Sequence, residues 1–284
     1  MLVSIGDNCI DCYAGPVEVQ HVGGNALNVA ANFALHGLAA AYAGVVGTDA
    51  QGDLVVATLE HIGVNTTFLT RRAGRTGITQ VELLHGDYRI LKEDYGVSDQ
   101  VHWTPALLEF TRAHASQIHM TVSGRAQQLV RDLEHVDALL SVDLGQVTEP
   151  AAVQRFAPLI ARAECAFISA GSKLGDQDVQ HLLAAVRRQG ARYAVATRGA
   201  AGASGLWQGR LISVPPVLDA SAVVDTLGAG DAFIAGFLSS AAVPGPLEER
   251  LLCGSRWSAE VCGHIGAWRE RRSAFESAAE EQRL

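Results

Sequence analysis

Val224-Asp225-Thr226-Leu227-Gly228-Ala229-Gly230-Asp231-Ala232-Phe233 sets two carboxylates around three nearly side-chain-free residues, and an apolar run, Phe233 to Leu238, follows at once. Glycines at 228 and 230 allow backbone conformations closed to other residues and leave a ligand room to approach the chain. A helix beginning near Ala229 leaves its first N–H groups without intrahelical partners, and that end carries a partial positive charge. Such an end suits a phosphate or a phosphoryl group in transfer. Asp231, in the first turn, then stands beside the phosphate, placed to take a proton from an incoming hydroxyl. A plain N-cap would need neither the Gly-Ala-Gly run nor the second carboxylate.

Around this stretch, short apolar β-type runs alternate with helical periodicity. Strands are expected at Leu2 to Ile5, Ala40 to Val46, 116–120, 138–143, 165–169 and 192–197, and helices from Asn25 to Gly37, from Asp49 to Ile62, and over 125–134, 150–162 and 176–189. Strict alternation implies βαβ units: an α/β fold with a mostly parallel central sheet and helices on both faces. Two stretches break the rhythm with hairpin character, and they predict one small β lid built from segments about 12–22 and 66–91. The region 1–268 is expected to form one domain, with a charged tail over 269–284. Alternating hairpins leave a second face to cover, so a homodimer through the lid is expected.

Four motifs carry a resemblance. Asp225 to Asp231 is similar to the C-terminal signature of the PfkB-type (ribokinase-like) carbohydrate kinases. Gly23-Gly24-Asn25-Ala26-Leu27-Asn28 resembles the family's G-G-x-x-x-N, Val46-Gly47-Thr48-Asp49 with Gly52 its V-G-x-D-x-x-G, and Thr197-Arg198-Gly199 with Gly202 its T-x-G-x-x-G. They occur in the family's order across about residues 2 to 268. The resemblance implies a three-layer ribokinase-like fold and an ATP-dependent transfer of the γ-phosphate to a sugar hydroxyl. It makes Asp231 the general base and the amides of Gly228, Ala229 and Gly230 the anion hole. Thr197, Arg198, Gly199, Gly202, Gly228 and Gly230 would border the nucleotide, together with Asp225, which would also lie near a monovalent cation. Asp7, Asp11, Gly24, Asn25 and Asn28 would hold the sugar. Asn25 as a helix cap and Arg198 as a solvent-exposed side chain remain open readings.

The family's N-x-x-E, linked to Mg²⁺, is replaced here by Ser169-Ala170-Gly171-Ser172, which leaves water-mediated contacts or Asp143 to organise the metal. That departure also keeps a non-catalytic sugar- or nucleotide-binding relative in view. Ser4 to Asp11, the Gly-Gly motif, Thr79 to Leu83 and His264-Ile265-Gly266-Ala267-Trp268 resemble one branch of the family, the fructoselysine 6-kinases. The implied acceptor is a fructosamine; a simple ketose or a ribose-type sugar is the alternative. For its charged end, Glu82, Glu93, Asp94 and Asp143 are candidate acids, and Arg89 and Lys92 candidate bases.

Composition narrows the remaining classes. The chain has 284 residues, 48% hydrophobic and 18% charged, so it can bury one large core. Its formal net charge of −8, with no dense Lys/Arg cluster before the last twenty residues, argues against nucleic acid or an anionic membrane as main partner. Five cysteines give no disulfide framework, and Cys9-x-x-Cys12 reads as part of a strand rather than a metal knuckle. No G-x-G-x-x-G follows the first strand, which disfavours a dinucleotide-dependent oxidoreductase. The N-terminus lacks signal-peptide character, so a cytoplasmic protein is expected.

Overall fold

A computed structural model of the chain describes residues 1–14, 19–122, 136–240 and 245–269. The expected helix at 125–134 and all of the tail but Arg269 lie outside them.

The core is a nine-stranded sheet. Seven strands run parallel side by side: β1 (Leu2–Ile5), β4 (Ala40–Gly47), β5 (Asn65–Arg72), β8 (Gln117–Thr121), β9 (Leu139–Gln146), β10 (Cys165–Ser169) and β11 (Tyr193–Thr197). An antiparallel pair, β12 (Ala203–Trp207) and β13 (Arg210–Val214), closes one edge, giving the order β13-β12-β11-β10-β9-β8-β1-β4-β5. β4 is buried at every residue, as expected of a parallel strand covered on both faces. On one face lie α1 (Asn25–Leu35), α2 (Ala50–His61), α7 (Ala229–Ser239) and α8 (Leu247–Cys262), whose Leu27, Leu59, Phe237 and Leu251 share a core cluster. The other face is covered by α3 (Pro105–His114), the short α4 (Pro150–Val153) and α5 (Ala157–Ile160), and α6 (Asp176–Arg188). These are the three layers of a ribokinase-like α/β fold.

The single helix expected over 150–162 is interrupted by a 3₁₀ turn, Gln154–Phe156. Pro158 is the cause, since it has no N–H to bond back to Gln154. α3, α8 and the β12–β13 hairpin were not anticipated.

A second sheet, ordered β3-β2-β6-β7, joins β2 (Cys9–Tyr13) and β3 (Val19–Gly23) to β6 (Ile78–Leu84) and β7 (Asp87–Asp94). Two antiparallel hairpins meet along one parallel pair, β2 with β6. The lid boundaries differ from expectation. Residues 66–72 belong to β5 and pair with β4 at the edge of the large sheet, where Phe68 and Leu69 are half-buried and Thr70 to Arg72 stay exposed. The lid proper begins at Cys9 on one side and extends to Asp94 on the other. Asp49 fastens its root: the carboxylate caps α2 through Gly52 N–H (2.9 Å) and accepts from Thr76 N–H (2.8 Å) and Thr76 Oγ1 (2.6 Å), two residues before β6. Among the described residues no helix is long and apolar enough to cross a membrane.

Candidate active site

The carboxyl ends of the parallel strands, where α/β sheets bind ligands, face the lid across a cleft. α7 begins there. Gly228, at its N-cap, has φ 75°, in the left-handed region, and a Cβ added to it would lie 2.2 Å from Ala267 Cβ. Glycine is therefore required by both the backbone and the neighbouring chain. At Gly230, in contrast, an added Cβ would meet nothing within 4 Å. Of the three amides expected to form the anion hole, one is engaged within the chain. Ala229 N–H is engaged by Thr226 O (3.1 Å), and the first helical bond runs from Ala232 N–H to Gly228 O (2.9 Å). The amides of Gly228, Gly230 and Asp231 are left without a partner among the described residues.

Asp231 is buried and accepts from Asn28 Nδ2 (2.8 Å). Burial lifts its carboxyl well above the usual range; the Asn28 bond opposes the shift, and the charges of Asp143, Asp7 and Asp11 add to it. Asn28 projects from α1 and is itself buried, with its Oδ1 lacking a partner among the described residues. An unsatisfied buried acceptor is costly, and here it sits on the same amide that bonds the carboxylate. A ligand hydroxyl would satisfy it.

The lid's register decides which of its side chains meet this floor. Asp11 stands opposite both His21 and Thr79, Tyr13 opposite Val81, Val81 opposite Ile90, Leu83 opposite Tyr88, and Thr79 opposite Glu93. Cross-strand partners share a face, so Asp11, Tyr13, His21, Tyr88 and Glu93 line one side. That side is the cleft: Tyr13 reaches Asp225, and the Tyr88 phenol, on a residue that is still 37% exposed, is pushed up to about 12 by partial desolvation and then by the charges of Asp231, Asp87, Asp11 and Asp225. Asp11 is pushed up to about 7, first by burial and further by Asp225, Asp7 and Glu93, against a lowering bond from Cys9 Sγ (3.2 Å). Its room comes from Gly23, where a Cβ would lie 2.0 Å from Asp11 Oδ2. Asp143, within β9 beside Thr121 at the end of β8, is raised to about 6 by burial and by Asp7, offset by the bond from Gly145 N–H (2.9 Å).

Other expected site residues have different partners. Asp7 accepts from the amides of Asn25 (3.1 Å) and Ala26 (3.5 Å) and from Thr121 Oγ1 (2.9 Å), so it caps α1, while its charge still reaches Asp11, Asp143 and Asp231. Asn25 is the first helical residue, exposed and with no cap bond; Gly24 holds the cap position and Asp7 supplies the acceptor. Arg198 points neither to a phosphate nor to solvent. It is buried, donating to Asp176 Oδ1 (2.7 Å), Leu174 O (3.0 Å) and Ser204 Oγ (3.2 Å). Thr197 ends β11 at the cleft end of the sheet, and Gly199 and Gly202 frame the 3₁₀ turn after it, with Gly199 exposed. Asp225 is fully buried and takes three donors: Leu227 N–H (2.9 Å), Gly266 N–H (3.0 Å) and the Tyr13 hydroxyl. Through these three bonds it braces the loop in front of α7. Glu82 and Asp94 are taken by Arg89 (2.5 Å) and Arg75 (2.8 Å), away from the cleft. Cys9 and Cys12 lie on β2, as read, and no His/Cys/Asp/Glu group able to hold a metal by itself occurs among the described residues. Tyr13, Tyr88 and the lid-facing role of His21 escaped the sequence reading; alternation along Asp87–Asp94 was the available signal for Tyr88.

Comparison with known proteins bears on the family and the fold. A family model described as "pfkB family carbohydrate kinase" matches residues 1–271. Fructosamine kinase FrlD of Bacillus subtilis is 31% identical over 273 residues, 94% of this chain and 92% of that protein. Fructoselysine 6-kinase of Escherichia coli is 29% identical over 277 residues, 94% and 99% respectively. Among solved structures, the ribokinase of Arabidopsis thaliana complexed with ribose and ATP superposes with a TM-score of 0.78 at 20% identity, over 94% of this chain and 93% of that one.

Proposed function

Since the chain belongs to the pfkB family of carbohydrate kinases and is a phosphotransferase with an alcohol acceptor, we propose that it transfers the γ-phosphate of ATP to the 6-hydroxyl of a fructosamine such as fructoselysine. The observation that carries this reading is the buried Asn28–Asp231 pair beside two unpartnered helix-start amides. Asp11, on the lid face opposite, and Asn28 Oδ1 hold acceptor hydroxyls. Asp231 takes the attacking hydroxyl's proton as that oxygen bonds to the γ-phosphorus and the bond to the bridging oxygen breaks, releasing ADP. A carboxylate whose proton affinity is raised by burial is better matched to this task than an ordinary one. The amides of Gly230 and Asp231 stabilise the charge on the transferring group. Thr197, Gly199 and Gly202 border the nucleotide.

Mg²⁺ commonly rests on substrate phosphates with one or two carboxylates, and Asp143 is the cleft carboxylate of that kind, so it would hold the ion. When bound, Mg²⁺ supplies neutralisation of phosphate charge. The fructosamine acceptor is supported by the two relatives above and by an acidic cleft wall of Asp11 and Glu93, suited to an amine-bearing sugar. A second reading, binding without transfer, rests on Ser169 to Ser172 standing where Asn and Glu are usual.

A phosphorylation assay with Mg-ATP across fructoselysine, fructose, ribose and 2-keto-3-deoxygluconate tests the proposal. Fructoselysine should show the highest kcat/KM; turnover of none, with calorimetric binding of one, would establish the second reading instead. A cytoplasmic homodimer joined through the lids completes the proposal, with exposed Leu84 and Leu91 on β6 and β7 as contact candidates. Gel filtration should give about twice the 30.0 kDa chain mass; elution as a monomer would remove the dimer.

A further inference from the structure

The loop in front of α7 is held by the lid as well as by the core. Tyr13, on β2, donates its hydroxyl to Asp225. Thr226 Oγ1 donates to Asp87 Oδ1 at the β6–β7 turn (2.7 Å). Gly86, in the same turn, lies so close to Val223 that an added Cβ would be 2.9 Å from its carbonyl oxygen. Three lid residues from both hairpins thus reach the stretch 223–226, just before Gly228.

Asp225 is the centre of this contact. Its Oδ1 orients the Leu227 peptide, the last before Gly228, and its Oδ2 takes Gly266 N–H from the C-terminal segment and the Tyr13 hydroxyl from the lid. A fully buried carboxylate depends on its donors, because each one lost leaves charge in a medium that solvates it poorly. Only Tyr13, of the three, belongs to the element that also carries Asp11. We propose that Tyr13 is a positioning residue for phosphoryl transfer: through Asp225 it makes the geometry of the Gly228–Asp231 turn depend on the lid being seated. The proposal rests on the assignment of Asp231 and the first-turn amides to the reaction. It implies that the acceptor's lid and the phosphate's cradle are set together, so transfer to water is suppressed while the lid is out of place.

Tyr13→Phe and Thr226→Val, singly and together, test this with Mg-ATP and the most rapidly phosphorylated of the four sugars above. Tyr13→Phe should lower kcat about tenfold, as expected for a hydrogen bond to a charged group, and leave KM for the sugar within about twofold. Inorganic phosphate released per sugar phosphate formed should rise about fivefold or more, since the turn is loosened and the base is intact. Thr226→Val should move both readouts the same way, and the double variant should fall short of the product of the singles, as sites sharing one loop do. Wild-type kcat and partitioning in Tyr13→Phe, or a lowered kcat tracking only a lower Tm with unchanged partitioning, would overturn the proposal. Full activity in Asp231→Asn would instead remove the assignment on which it rests.

Discussion

Asp231→Asn should lower kcat/KM for the sugar about a thousandfold or more, the range lost with a general base, while ATP binding measured by calorimetry stays within a few-fold. Asparagine preserves the volume and offers an oxygen to Asn28 Nδ2, so the N-terminus of α7 keeps its shape, yet its amide cannot take a proton. Burial already holds the native carboxyl well above its ordinary range. The neutral variant therefore removes a destabilised charge, and its Tm at pH 8 should equal or exceed that of the wild type. Loss of activity together with a retained or raised Tm separates chemistry from folding. An Asp231→Asn protein with undiminished kcat would take the proton-accepting role away from this residue.

Asp11→Asn should show the same opposition more sharply. Losing a carboxylate that accepts vicinal sugar hydroxyls should reduce sugar kcat/KM about a hundredfold, mostly in KM. Stability should move the other way with pH. The folded carboxyl sits at about 7 against 3.8 when free. Between those values the folded state binds more protons than the unfolded one, so stability falls as pH rises, and the full penalty is present above pH 7. That interval corresponds to at most about 4 kcal/mol. Asp11→Asn should accordingly leave unfolding in urea unchanged below about pH 4 and raise the midpoint progressively to pH 8. A midpoint difference that does not vary with pH would show that Asp11 carries no such raised pKa. Acceptor binding by the native protein should also weaken as pH falls through 7, when the carboxyl becomes neutral.

Local chemistry was legible where one short segment contains both cause and effect. Gly228 and Asp231 lie three residues apart, and the demand for a left-handed residue before a helix start could be read from the glycines themselves. The strand ends were also readable, because parallel strands buried on both faces are continuous apolar runs. What could not be read was the choice of partner across long sequence distances. Arg198 looks like a phosphate ligand until Asp176, 22 residues earlier, takes its guanidinium. Nothing local to Asp225 announces that Tyr13, 212 residues away, supplies its third donor. Asp7 became a cap for α1 because Thr121 and two amides converge on it, and no periodicity encodes that meeting. Lid residues 66–72 were misassigned since the alternation of an edge strand in a large sheet matches that of a hairpin. α8 carried usable signals, Pro246 followed by Glu248 and Glu249 and then apolar residues at helical spacing.

The lid's construction bears on how the chain becomes active. β2 and β3 leave the core after β1, and β6 and β7 leave it after β5, so the parallel seam from Ile10–Ile78 to Tyr13–Val81 joins two excursions of the chain. A two-stranded hairpin alone is marginal in water, and a seam of such sequence separation bears a loop-closure cost that only a preassembled core can offset. β1, β4 and β5 must therefore be paired before the two halves of the lid lie within reach of each other. The core can nucleate from its own parallel strands, but Asp11 reaches its place opposite Asp231 only when the last, least local contacts have formed. Loop-closure cost therefore places the lid seam, and with it catalytic competence, after the core on the folding path expected for this chain.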